Sequence, residues 1–248
     1  MIRGVIFDLG STLIRFRGKW SEVLAEGRSA MVAYLREAGY PLDGDAFIQD
    51  MQSSFETNFR ERRVDHRERT TRSLVQEALT RQRVDRVAPA HLEEGLRRLY
   101  APSEACWSAV PGVRPTLDRL RERGLRLGMI SNASDVANVQ RLIDSAEVRA
   151  YFDPIVISAA AGYRKPTPSL YEDVLRGWKM DPAEAVMVGD TLGEDILGAQ
   201  RAGLHQIWVQ AEADRSFNDE HVGVIVPEVT VASLEEVPAA IERLSREA

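Results

Sequence analysis

Three apolar runs of this 248-residue chain end on groups that can do chemistry. Val5-Ile6-Phe7 stops on Asp8, Gly128-Met129-Ile130 on Ser131 and Asn132, and Val186-Met187-Val188-Gly189 on Asp190. A fourth stretch, Gly162-Tyr163-Arg164-Lys165-Pro166, presents Lys165 in a chain whose other cations are nearly all arginine; the remaining lysines are Lys19 and Lys179. Singly, each is ordinary: an acid after a strand commonly serves a turn or a helix cap, and a loop lysine is commonly solvated. Together they suit phosphoryl transfer. A carboxylate can attack phosphorus and form an aspartyl phosphate that water then hydrolyses. Such transfer is mostly positioning and charge neutralisation. Two acids at one rim suit Mg²⁺, a hard ion that takes carboxylates, waters and substrate oxygens. A compact ammonium can bridge a carboxylate and a phosphoryl oxygen.

These groups converge only if the runs are neighbouring strands of one sheet. After residue 107 the pattern alternates: a helix near 113–123, a strand at 125–132, a helix near 134–144, a strand at 152–158, a helix at about 168–179, and a strand at 185–190. A helix at 194–203, a strand at 205–210, a short strand over 222–227 and a helix near 233–245 complete it. Strands separated by helices predict an α/β, doubly wound parallel sheet. Ligands of such sheets bind outside the carboxyl ends of the strands. The first strand belongs to the same sheet. Residues 15–106, which show only helical spacing, therefore read as an inserted bundle of four amphipathic helices. The predicted division is an α/β core of residues 1–14 and 107–248 and a helical insert of residues 15–106. Residues 60–72 are dense in arginine with interleaved acids, as solvated helix faces are.

The net charge of −6 argues against a nucleic-acid binder. No stretch approaches the apolar length of a membrane span, and the chain enters its first strand without a secretory pattern. With Cys106 the single cysteine, no intrachain disulfide can form, and a cytoplasmic location is expected. A monomer or a homodimer fits equally.

In this order the motifs resemble those of the haloacid dehalogenase-like hydrolase superfamily. Phe7-Asp8-Leu9-Gly10-Ser11-Thr12-Leu13 is similar to its first motif, Ile130-Ser131-Asn132-Ala133-Ser134 to its second, and Arg164-Lys165-Pro166-Thr167-Pro168 to its third. Gly189-Asp190, followed by Glu194, Asp195 and a Gly-Ala-x-x-Ala-Gly ending, is similar to the fourth. A helical insert between the first two motifs resembles the family's C1-type cap. The resemblance implies that Asp8 is the nucleophile and a Mg²⁺ ligand, Asp190 a second ligand, and Gly10 a third through its carbonyl. It implies that Ser131, Asn132 and Lys165 hold the phosphoryl group, and that Asp195 and Glu194 support the metal ligands from behind. The substrate would be a small phosphorylated metabolite.

Gly10 departs from the pattern. Most phosphatases of the family carry an aspartate there that protonates the leaving oxygen, and glycine cannot move protons. Such help is worth roughly 10²–10⁴ in rate. A slow or specialised phosphatase is therefore expected; the alternative is a catalytically impaired member of the family that binds a phosphorylated ligand. His66 and the arginines around it are candidate substitutes for the acid. Dehalogenases lack the Gly-Asp pair kept here as Gly189-Asp190, and a phosphonatase would need an insert lysine, for which only Lys19 is present.

Overall fold

The computed structural model describes residues 1–84 and 86–247. These fall into two compact units. One comprises Met1–Phe16, Ser108–Asn132 and the chain from Ile143 onward; the other comprises Arg17–Trp107 and Ala133–Leu142.

The strands are β1 (Gly4–Phe7), β2 (Ile14–Phe16), β3 (Trp107–Ala109), β4 (Arg126–Ser131), β5 (Ile155–Ile157), β6 (Ala185–Gly189), β7 (His205–Val209) and β8 (Val229–Val231). Six of them form one parallel sheet in the order β5-β4-β1-β6-β7-β8, and β2 and β3 pair as a separate ribbon. Strand β1 is central and completely buried, which is why Val5, Ile6 and Phe7 run without alternation. Register sets the site. Phe7 lies opposite Met129 on one side and Val188 on the other. One step further along, Asp8 is level with Ile130 and Gly189, and the Asp8 N–H donates to the Val188 carbonyl (2.9 Å). The chain builds outward from β1 to β4 and β5, then returns to add β6, β7 and β8 on the other side. The β1/β6 boundary is thus the switch point at which such sheets bind ligands.

In chain order the helices are α1 (Trp20–Glu37), α2 (Gly44–Asp65), α3 (Thr71–Arg81), α4 (Pro89–Glu104), α5 (Val113–Glu122), α6 (Val136–Ser145), α7 (Ser158–Ala161), α8 (Ser169–Trp178), α9 (Leu197–Ala202), α10 (Arg215–Asn218) and α11 (Val237–Glu247). The first four fold the helical unit around Met31, Leu35, Phe47, Met51, Val75, Leu79 and Leu96. Asp43 caps α2 and Thr70 caps α3, each accepting from backbone N–H groups of the first turn. His66 ends α2 in the left-handed conformation (φ 54°).

Three expectations need correction. Residues 133–142, assigned from sequence to the α/β core, group with the helices, because Ser134 bonds Glu68 and Thr71 while Asn138 and Arg141 bond Glu104. The strand expected over 222–227 is a turn. Gly223 has φ +80°, Val222, Val224 and Val226 are exposed, and only Ile225 is buried, against Leu192 and Ile196. The segment is rich in β-branched residues, as strands are, but the sheet's edge is β8. The helix expected over 194–203 opens instead as a wider π turn, Leu192–Ile196, before α9. The Ile196 N–H reaches back to the Thr191 carbonyl (3.3 Å), and such turns often carry functional groups.

Candidate active site at the carboxyl ends of the strands

Asp8 leaves β1 into a tight loop. The Leu13 and Ile14 N–H groups both donate to the Leu9 carbonyl (2.9 and 3.0 Å), and Ser11 adopts φ 60°. The loop returns the Thr12 hydroxyl to the Asp190 carboxylate (3.3 Å). Gly10, partly exposed, forms a bridge with Ile14.

Lys165 is 1% exposed, and its ammonium meets Asp8 Oδ1 (2.5 Å), Asp195 Oδ1 (2.6 Å) and the Ile130 carbonyl (2.9 Å). The contacts with Asp8 and Ile130 are hydrogen bonds, and the approach to Asp195 is an ion pair. Asn132 holds the lysine's main chain: its Oδ1 accepts the Lys165 N–H (2.8 Å) and its Nδ2 donates to the Lys165 carbonyl (3.2 Å). The same Nδ2 donates to Glu194 (2.8 Å), whose other oxygen accepts from Arg164 (2.9 Å). Asp195 accepts the Thr191 N–H (3.0 Å), and the buried Tyr171 hydroxyl donates to the Asp195 carbonyl (3.2 Å).

Asp8, Asp190 and Asp195 each place a carboxylate oxygen so that all three lie within 4.8 Å of one another. At an effective dielectric of about 20, two such charges repel by about 3.5 kcal/mol or more, and one lysine faces three acids. Burial pushes Asp8 up, against the pull of Lys165. Burial, then Asp8 and Asp195, push Asp190 well up. Burial lifts Asp195 to about 7, with Lys165 opposing. Burial alone would lower Lys165, but Asp195 and Asp8 more than offset it and hold the ammonium protonated. Burial would likewise raise Glu194, yet Arg164, Lys165 and Asn132 hold it below its ordinary value. An all-oxygen donor set with surplus negative charge fits a hard divalent cation such as Mg²⁺.

The structure thus brings together Asp8, Lys165, Asp190 and Asp195, with Glu194 joined through Asn132. Ser131 is buried at the end of β4. The Asn132 side chain, which the resemblance places on the phosphoryl group, bonds Lys165 and Glu194 here, and the Lys165 ammonium lies against Asp8, Asp195 and the Ile130 carbonyl. Thr12, Arg164 and Tyr171 were not anticipated.

Gly189 makes room for this arrangement. A Cβ there would lie 2.4 Å from the Asp195 carboxyl carbon. Gly189→Ala should displace Asp195, cost about 1–3 kcal/mol in urea unfolding, and lower turnover. Wild-type values in both measurements would contradict the packing.

A model of the haloacid dehalogenase-like hydrolases matches residues 2–203. A glyceraldehyde 3-phosphate phosphatase of Methanothermobacter thermautotrophicus is 28% identical over 238 residues, 93% of this chain and 95% of that protein. The protein of the same name from Pyrococcus furiosus is 30% identical over 179 residues, 64% and 70% of the two chains. That from Pyrococcus abyssi is 34% identical over 136 residues, so the match spans 48% of this chain and 57% of the relative. Among solved structures, a 2-haloacid dehalogenase from Pseudomonas syringae superposes with a TM-score of 0.66 at 24% identity, covering 100% of both chains. A phosphatase from Thermococcus onnurineus superposes at 0.62 with 21% identity, covering 97% of this chain and 98% of the other. At these identities the structures establish a shared fold.

Proposed function

The chain belongs to the haloacid dehalogenase-like hydrolase family, and on that premise we propose that it is a Mg²⁺-dependent phosphatase working through an aspartyl phosphate on Asp8. The substrate is a small phosphorylated metabolite, and glyceraldehyde 3-phosphate, which the relatives' names give, is the first to test. The observation that carries this reading is the buried cluster of Asp8, Lys165, Asp190 and Asp195.

Lys165 holds Asp8 Oδ1, which leaves the second carboxylate oxygen to attack. That oxygen bonds to phosphorus while the bond to the leaving oxygen breaks. Water then attacks the phosphorus of the acyl phosphate, its bond to Asp8 breaks, and inorganic phosphate leaves with the carboxylate restored. Asp8 and Asp190 would hold Mg²⁺, with the Gly10 carbonyl as a third ligand; when bound, the ion neutralises charge on the phosphoryl oxygens. Lys165 supplies positive charge to the site and keeps Asp8 in place. Ser131 offers a hydroxyl to the phosphoryl group. Position 10 supplies no proton, so the reading favours leaving groups of low basicity or a proton taken from water. Lys19 is exposed and paired with Glu22 (2.8 Å), a poor setting for the imine chemistry of a phosphonatase. The unoccupied acid position favours a second reading, a binder of phosphorylated ligands that has lost turnover.

Release of phosphate from a panel of esters, with and without chelator, tests the reading. Turnover that survives full metal removal rejects it. Stability provides a separate check. Asp195 ionises near its ordinary 3.8 when unfolded but at about 7 in the fold. Between those values the folded state holds a proton that the unfolded state has released, so stability falls as pH rises through this window. Asp190 and Asp8, also raised, act in the same direction. Metal-free protein should therefore melt at lower temperature at pH 7 than at pH 5, and Mg²⁺ should restore the melting temperature most at the higher pH. A melting temperature independent of pH and Mg²⁺ would contradict it.

A further inference from the structure

The carboxylate of Asp190 has little to hold it. Among the described residues its side-chain partner is Thr12, at 3.3 Å. Its direction must then come from the main chain that carries it, and that main chain is gripped from a distance. The Asp190 carbonyl accepts from Trp208 Nε1 (2.7 Å) and from Asn218 Nδ2 (3.1 Å). The Leu192 N–H donates to Asn218 Oδ1 (2.7 Å). Asn218, 3% exposed, gives a further bond from Nδ2 to the Asp214 carbonyl (3.0 Å).

Leu192 opens the π turn that carries Glu194 and Asp195. The first N–H groups of a helical segment have no partner within it. Asn218 supplies that partner from a segment 26 positions along the chain. The same segment is seated nearby at two more points. His221 packs on Gly193, where a Cβ would lie 2.4 Å from its Nε2, and Ile225 packs on Leu192 and Ile196.

We propose that Asn218 is a positioning residue for cation binding: by fixing the main chain at residues 190 and 192, it sets the direction in which Asp190 presents its carboxylate. This rests on Asp8 and Asp190 being the cation's ligands. Groups that orient a ligand from behind typically contribute 10–100-fold to metal affinity.

The test is calorimetric titration of the full-length, metal-free protein with Mg²⁺, alongside turnover at rising Mg²⁺. Asn218→Leu keeps the bulk and removes the side chain's bonds to Asp190, Leu192 and Asp214. Its Mg²⁺ affinity should fall by about 10–100-fold, while kcat at saturating Mg²⁺ stays near the wild-type value. Ser216→Ala, in the same segment but away from Asp190, should bind as wild type. A folded Asn218→Leu with wild-type affinity overturns the proposal and leaves the phosphatase reading standing. If wild-type protein binds no Mg²⁺, the proposal falls together with that reading. Should Asn218→Leu fail to fold, Asn218→Ser decides, since it removes the amide but leaves a polar group in place. Weaker binding supports the proposal, and unchanged binding overturns it.

Discussion

Asp8→Asn should lower phosphate release by at least about 10⁴-fold while the protein remains folded. Asparagine keeps the shape of the buried side chain but has no anionic oxygen with which to attack phosphorus. Its amide can still face Lys165, which retains Asp195 at 2.6 Å and the Ile130 carbonyl at 2.9 Å. The acid cluster also loses one of three mutually repelling charges. Metal-free Asp8→Asn is accordingly expected to unfold at no lower denaturant concentration than wild type. Loss of turnover together with a preserved urea midpoint would place Asp8 in the chemistry. Loss of both would reduce it to a structural acid, and retained turnover would remove the aspartyl phosphate from the account.

Gly10→Asp should move activity in the opposite direction. A carboxyl group at position 10 restores a proton carrier, worth roughly 10²–10⁴ in rate, or about 3–5 kcal/mol of barrier. Gly10 is partly exposed. The gain should depend on the leaving group. An alkyl phosphate, whose departing oxygen needs a proton, should gain the full factor, whereas an acyl phosphate should gain little. Initial rates on the two substrates decide. A large gain from undetectable wild-type turnover supports the impaired binder. A modest gain from measurable turnover supports the specialised phosphatase. No gain on either substrate would show that proton transfer at position 10 does not limit this protein.

The parts of the site that could be read from sequence were those set by strand ends. Asp8, Ser131 and Asp190 follow apolar runs, and parallel register alone carries them to one edge. Lys165 stood out by type in an arginine-rich chain. The supporting contacts were hidden because they join residues far apart in sequence: Asn132 to Glu194, Tyr171 to Asp195, Trp208 and Asn218 to Asp190. No local pattern marks such pairs. Asn132 illustrates the limit. Its place in the motif was legible, but the way its side chain spends its hydrogen bonds required coordinates. The four-helix pattern of the insert was legible because each stripe repeats every three to four residues. The 222–227 segment reads as a strand because it is rich in β-branched residues, yet only Ile225 of it is buried.

The hydrogen bond from the Trp208 indole to the Asp190 carbonyl has an optical consequence. The chain has four tryptophans, and Trp20, Trp107 and Trp178 lie outside the 190–218 network. An indole whose N–H is tied to the peptide of a titrating acid senses the electric field there. Trp208 should therefore act as a built-in emission probe, its spectrum shifting as Asp190 changes charge.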